Sequence, residues 1–327
     1  MRPTFPALVA VVGLTLAVAL SSHASAPDAS VEVLLSDARY DAKAGLTTAC
    51  IIEFTELLRS RPDLWEAYVG RGSCYLTELD AAAARPDLAR AIQIRPDDPA
   101  LYLELGTIDQ LAGDTRTAAT DFRLAIEQPT ATADQIYEVV EDLRTMKLSK
   151  DALLIVDRGL AEYPNFWALH TARARLEASF GNPREADLEF TSGVQLAAGV
   201  AKASALEARG RFYLEGKLYR LAISDFTQVI AADPRSWLDF EWRGDAWLGL
   251  QQSMRAVDDF SSSLALYRAL GTSDLEPIGR ILEERGRTYL QLGLKTQAAA
   301  DFRRALSAFT KPADRTRLKA EMQSATT

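Results

Sequence analysis

Apolar and small residues recur along the chain at helical spacing, three and four residues apart, in stretches of about fourteen separated by short polar breaks. The stretches come in pairs, and the pairs repeat. Pro62, Pro96 and Pro164 are spaced by 34 and by twice 34 residues, and Pro234 falls in the same place after a slip of two. With units started three residues after such a proline, the chain divides into 31–64, 65–98, 99–132, 133–166, 167–200, 203–236, 237–270 and 279–312. Residues 65–98 set the grammar, with Gly72 at repeat position 8, Tyr75 at 11, Ala84 at 20, Leu88 at 24, Ala91 at 27 and Pro96 at 32. The sixth unit repeats it with Gly210, Tyr213, Ala222 and Phe226, the seventh with Gly244, Trp247, Ala256 and Phe260, and the eighth with Gly286, Tyr289, Ala298 and Phe302. Each unit therefore predicts a helical hairpin. Small residues at 8 and 20 let two antiparallel helices approach, bulky ones at 11 and 24 fill the space beside them, and proline at 32 ends the second helix. Gly113, Gly181, Gly216 and Gly293 mark the breaks between paired helices.

A second regularity is electrostatic. Position 7 is arginine and position 23 acidic in five units: Arg71 with Asp87, Arg173 with Glu189, Arg209 with Asp225, Arg243 with Asp259, and Arg285 with Asp301. In the fourth unit both positions are apolar, Val139 and Ile155. A hairpin that turns near position 15 or 16 puts 7 and 23 at one level on facing helices, so an ion pair within each hairpin is expected.

These residues resemble the tetratricopeptide repeat, whose W-x2-L-G-x2-Y, A-x3-F and closing proline recur at a period of 34. The resemblance covers about residues 31 to 312; Val140 departs from the small residue at position 8, the fifth unit lacks the proline, and the first, with Asp37-Ala38 in place of Arg-Gly, is the weakest match, as suits a terminal cap. It implies an all-α, right-handed α-solenoid of about eight hairpins, with first helices lining a concave groove that binds peptide segments or other proteins. Family groove positions 2, 5, 9, 12 and 13 fall on Tyr137, Glu141, Arg144, Glu207, Arg211, Glu241, Asp245, Arg280, Glu283 and Arg287, and on the apolar Val69, Leu76, Leu103 and Leu111 further forward. The family's chaperone-tail clamp, which needs asparagines there, is absent because Asn165 and Asn182 lie elsewhere. Residues 271–278 insert a loop or an extended helix end between units seven and eight, and 313–327 read as a polar, solvated C-terminal capping helix.

Residues 1–26 carry Arg2, an apolar run from Ala7 to Leu20 and a small-residue exit, the layout of a secretory signal peptide cleaved after Ala24 or Ala26. The run is shorter than the roughly 20 residues of a membrane-spanning helix, so cleavage leaves no stable membrane span. Arginine outnumbering lysine, together with abundant alanine, suggests a GC-rich bacterial genome and hence a periplasmic or secreted protein. Cys50 and Cys74 stand at position 20 of unit one and position 10 of unit two; in an exported chain they form either a disulfide stapling two hairpins or a pair of small core residues.

Composition narrows the chemistry. With 37 basic against 45 acidic residues, a net charge of −8 and no basic block, a nucleic-acid partner is not expected. The two histidines are His23, which cleavage removes, and His170. His170 falls at position 4, where other units carry Tyr68, Tyr102, Ile136, Leu206, Phe240 and Leu282, so it reads as a packed residue rather than a general base. No phosphate loop, dinucleotide fingerprint, H-E-x-x-H or nucleophile elbow occurs, zinc lacks ligands, and neither a cofactor nor a metal is expected. The expectation is a non-catalytic exported adaptor that grips a partner segment in the groove. Its rival is a structural bridge in a periplasmic export or exopolysaccharide-secretion machine, working through the outer surface.

Overall fold

The computed structural model describes residues 46–326, with Val33, Leu35, Ser36, Tyr40 and Ala44 ahead of them. The leader 1–26 and most of the first helix of unit one lie outside the described residues. Among those described there are sixteen α-helices and no strand: α1 (Thr47–Ser60), α2 (Trp65–Thr77), α3 (Ala81–Ile94), α4 (Pro99–Leu111), α5 (Thr115–Glu127), α6 (Ala133–Thr145), α7 (Ser149–Glu162), α8 (Trp167–Phe180), α9 (Pro183–Leu196), α10 (Gly199–Glu215), α11 (Tyr219–Ala232), α12 (Trp237–Gly249), α13 (Ser253–Ala269), α14 (Glu276–Gln291), α15 (Lys295–Ala308) and α16 (Pro312–Thr326). They fall in two compact units divided between Asp114 and Thr115. Within the units successive helices pack as pairs, α2 with α3, α6 with α7, α8 with α9, α10 with α11, α12 with α13 and α14 with α15, and each pair leans on its neighbour, giving an all-α solenoid.

Local chemistry sets the helix starts. The Asp98 side chain accepts from Ala100 N at 3.1 Å ahead of Pro99, and Thr132 with Gln135 forms a reciprocal capping box on α6. The turns share one geometry. At the end of every first helix from α2 to α14, the position-16 amide donates to the position-11 carbonyl over 2.8–3.0 Å, from Asp80 N to Tyr75 O through Leu294 N to Tyr289 O. Position 15 then takes a left-handed conformation, with φ from 60 to 83°, at Leu79, Gly113, Lys147, Gly181, Lys217, Gln251 and Gly293. Gly216, expected at the break, has φ −76° and is right-handed; Lys217 takes the left-handed place one residue on. Because a Cβ makes that conformation costly by about 1 kcal/mol, Lys147→Gly is expected to stabilise the protein slightly. Gly181→Ala should destabilise it by about 1 kcal/mol. Urea unfolding of both variants checks the pair of signs.

The core follows the repeat. Phe54, Phe122, Phe226, Phe260 and Phe302 at position 24 are fully buried. A Cβ on Gly210, Gly244 or Gly286 would come within 2.9, 2.8 and 2.7 Å of the phenylalanine ring sixteen residues on, which is why position 8 is glycine there. The tail departs from expectation: α16 is not simply a solvated cap. Its Leu318 is completely buried in the last core cluster, beside Phe302 and Phe309. By register α16 is the first helix of a ninth unit that has no second helix among the described residues.

Candidate protein-binding surface

The position-7 arginines form the expected pairs, and each also reaches further. Arg71, Arg209, Arg243 and Arg285 grip Asp87, Asp225, Asp259 and Asp301 through two parallel N–H···O bonds of 2.7–2.9 Å. The remaining Nη1 of each donates to a hydroxyl on the preceding hairpin: Thr55 at 3.1 Å, Thr191 at 3.2 Å, Thr227 at 3.2 Å and Ser261 at 2.9 Å. All four acceptors stand at repeat position 25. In the fifth unit the residue there is Asp157, an ion-pair partner 2.9 Å from Arg173 Nε, while Arg173 Nη1 donates to Glu189. One guanidinium thus ties a hairpin together and fastens it to its neighbour. Val139 and Ile155, where the fourth unit forgoes the pair, are both buried.

The first-helix face is therefore held by rigid elements. Along it the groove candidates gather into four groups. On α6, Glu141 accepts from Arg144 at 3.0 and 2.7 Å and from Arg175 of α8 at 3.2 Å, with Tyr137 half-buried one turn earlier. On α10, Glu207 is half-buried, and burial pushes its carboxyl above the usual range against the pull of Arg211 and Arg175. Arg211 is exposed and lies 5.0 Å over the ring of Trp242 from α12. Glu241 is buried and holds Arg280 of α14 through bonds of 2.7 and 3.0 Å. Asp245 is half-buried within the field of that arginine. Glu283 is buried beneath Arg287, which bonds it directly, and accepts from Arg317 of α16 at 2.8 and 2.9 Å; Arg287 in turn reaches Glu321 at 2.7 Å and Glu284 at 3.0 Å. Burial works against the Arg287 charge, yet Glu321 and the two glutamates beside it outweigh burial and raise its pKa.

Arg175, Trp242, Arg317 and Glu321 are residues that sequence reasoning missed. The period could have found three of them, since Glu141 to Arg175, Glu283 to Arg317 and Arg287 to Glu321 are each steps of 34. Forward of this face, Val69 is buried in the core, Leu76 and Leu103 are half-buried, and Leu111 is exposed.

Asp239, at position 3 of the seventh unit, stands where Ala67, Leu101, Leu169, Ala205 and Ile281 are buried core residues. It is 1% exposed, and its Oδ1 has no hydrogen-bond partner. Burial, with Glu207 and Asp233 nearby, pushes its carboxyl up to about 6 although Ser236 bonds to it. A carboxyl raised in the folded state favours the protonated fold, so this contribution is present at low pH and lost as pH climbs from 3.8 through about 6. Asp239→Asn should flatten the fall in stability across that window, as melting temperature against pH would show.

His170 is structural, as its repeat position suggested. Its Nε2 lies 2.9 Å from Pro164 O, the bond that the Tyr68 and Tyr102 hydroxyls make to Pro62 O and Pro96 O at 3.2 and 2.9 Å. Its Nδ1 lies 2.7 Å from Glu189, whose hydrogen bond raises the imidazole above its ordinary 6.5 despite burial. The charged ring satisfies both acceptors. Its stabilisation is complete below 6.5 and lost as pH rises through the higher folded value. His170→Tyr, which keeps the bond to Pro164, is expected to remove the pH dependence just above 6.5. Cys50 and Cys74 face each other from α1 and α2, both buried, with Cα atoms 6.4 Å apart, within the span of a disulfide.

Residues 279–311 match the family model for the tetratricopeptide repeat. The chain is similar to the crystal structure of a tetratricopeptide repeat protein from Parabacteroides merdae, 20% identical, over 80% of this chain and 99% of that one with a TM-score of 0.52. It is also similar to the C-terminal part of a repeat-containing protein of the same kind from Cytophaga hutchinsonii, 15% identical, over 86% and 97% of the two chains with a TM-score of 0.55. At these identities the likeness is one of fold. No curated protein matches the chain. With one unit matched by the family model and the same register and turn geometry carried through the units before it, this chain has the fold of a tetratricopeptide-repeat solenoid.

Proposed function

We propose that this protein is a non-catalytic, exported adaptor that binds a segment of a partner protein against the first-helix face of residues 133–291. The observation that carries the reading is the Arg211–Trp242 platform. Of the charged groove candidates, Arg211 is the exposed one, spread on an indole with the half-buried Glu207 beside it. An exposed cation backed by an aromatic ring is the kind of anchor that interface hot spots favour. The leader at 1–26 supports a periplasmic or secreted address, and a chain in that compartment would oxidise Cys50 and Cys74. Amino-terminal sequencing of the mature protein from fractionated cells tests the address.

The partner is sought by pull-down from an envelope extract with wild type and Arg211→Glu. Glu241 is a poor probe, because an arginine there would sit against Arg280 in a buried place and unsettle the fold. A partner captured by wild type and lost with Arg211→Glu bears the adaptor out; one kept by both moves binding off this face. A second reading, a bridge that works through its outer surface, is favoured by the way Glu141, Glu241, Glu283 and Arg287 already bond one another's neighbours inside the protein.

A further inference from the structure

The repeat supplies its own expectation for every exposed position, and one turn departs from it. Between α10 and α11 the sixth unit reads Lys217-Leu218-Tyr219-Arg220-Leu221. Position 19, Leu221 here, is Ala83, Thr117, Asp151, Glu185, Arg255 or Gln297 in the other described units, and none of them is aromatic at position 17, where Tyr219 stands. The seventh unit answers the change. Its position 13 is Gly249, and a Cβ there would lie 2.3 Å from the Tyr219 ring, so the ring lies flat against a backbone that only glycine leaves open.

The result is a shallow, open surface depression of about 250 Å3 lined by Leu218, Tyr219, Leu221 and Leu250 together with Lys217 and Arg220. Leu218 and Leu221 are each 48% exposed. Both cations are exposed, and among the described residues neither has a carboxylate at ion-pair distance. That sets them apart from the arginines of the clamp, and it places unpaired positive charge on a protein of net charge −8.

We infer that this turn edge, formed by α10–α11 and α12–α13, is a second docking site, and that its occupant is an acidic segment of a partner protein carrying a large apolar side chain. The apolar lining takes the side chain, and Lys217 and Arg220 receive the flanking carboxylates, which gives orientation and speeds encounter. The site lies at the turns rather than on the first-helix face, so it stands or falls independently of the groove.

The test uses the full chain and a fluorescein-labelled Glu-Asp-Leu-Phe-Glu-Asp peptide, with Lys-Lys-Leu-Phe-Lys-Lys and Glu-Asp-Ala-Ala-Glu-Asp counterparts, followed by anisotropy. Wild type and Arg211→Glu should bind the first peptide alike and the other two at least about tenfold more weakly. Lys217→Glu with Arg220→Glu, and separately Leu221→Ser, should each lose at least about tenfold in affinity while melting as wild type does, since all three side chains are exposed. The inference is overturned if wild type shows no saturable binding, if the basic peptide binds as well, or if either edge variant that melts normally binds unchanged. It is equally overturned if wild type forms a dimer that Leu221→Ser abolishes, which would assign the edge to a second copy of this chain.

Discussion

Arg209→Ala is expected to cost about 3–5 kcal/mol of stability, the range for breaking one side of a buried ion pair. Asp225 is 2% exposed, and in the variant it loses two bonds of 2.8 Å and the guanidinium that made them. The Thr191 hydroxyl on the preceding hairpin loses its donor as well. An exposed pair would be worth about 0–1 kcal/mol, so urea unfolding separates the two cases cleanly. Asp225→Ala should cost a similar amount, because it strands Arg209 in its turn. The fourth unit shows the way back. Val139 and Ile155 occupy the same two positions as buried apolar neighbours, so Arg209→Val combined with Asp225→Ile should recover most of what either single change loses. If the single change costs less than about 1 kcal/mol, the pair behaves as a solvated one and the clamp does not hold the register.

The clamp also shows how far sequence reasoning reached. Positions 7 and 23 could be paired on paper because arginine and an acid recur together in five units and both turn apolar in the fourth, at Val139 and Ile155, although the third unit keeps Asp121 opposite Leu105. Position 25 could not, since Thr55, Asp157, Thr191, Thr227 and Ser261 share only a side-chain oxygen, and hydroxyls at exposed helix positions are common enough to carry no signal. The hairpins, their turns and the small-against-aromatic packing were legible because each depends on spacing within about thirty residues. The first-helix face was legible only as a set of positions. Whether Glu241 and Glu283 point at solvent or at a neighbouring arginine depends on how closely consecutive first helices approach, and one unit read alone does not contain that distance. The tail misled for a related reason. Arg317 and Glu321 look like solvated charges until they are set 34 residues after Glu283 and Arg287, where each finds its partner. At the break after α10 Gly216 caps the helix, and the hydrogen bond from Leu218 N to Tyr213 O puts Lys217 in the left-handed place.

The second large effect concerns Cys50 and Cys74, and it links stability to address. A disulfide between them would close a loop with a separation of 24 residues, and the loss of that constraint on the unfolded chain is worth about 3 kcal/mol. The protein isolated from its native compartment is expected to be lighter by two hydrogens than the reduced form and to resist alkylation until a reductant is added. Reduction, or the pair Cys50→Ala and Cys74→Ala, should then lower the unfolding free energy by about 3 kcal/mol. The loss should begin locally: hydrogen exchange in α1 and α2 should speed up, while α8 to α15 keep their protection. Both sulfurs are buried against Phe54, Leu57 and Ala67, so the double alanine leaves small apolar residues in an intact core, and the decrease measures the covalent link rather than a cavity. The same staple fixes the second helix of unit one, the beginning of the described array, to the first helix of unit two. Free thiols in protein taken from outside the cytoplasm would reject the staple and leave the two cysteines as core packing. Free thiols together with an uncleaved leader would reject the exported address itself.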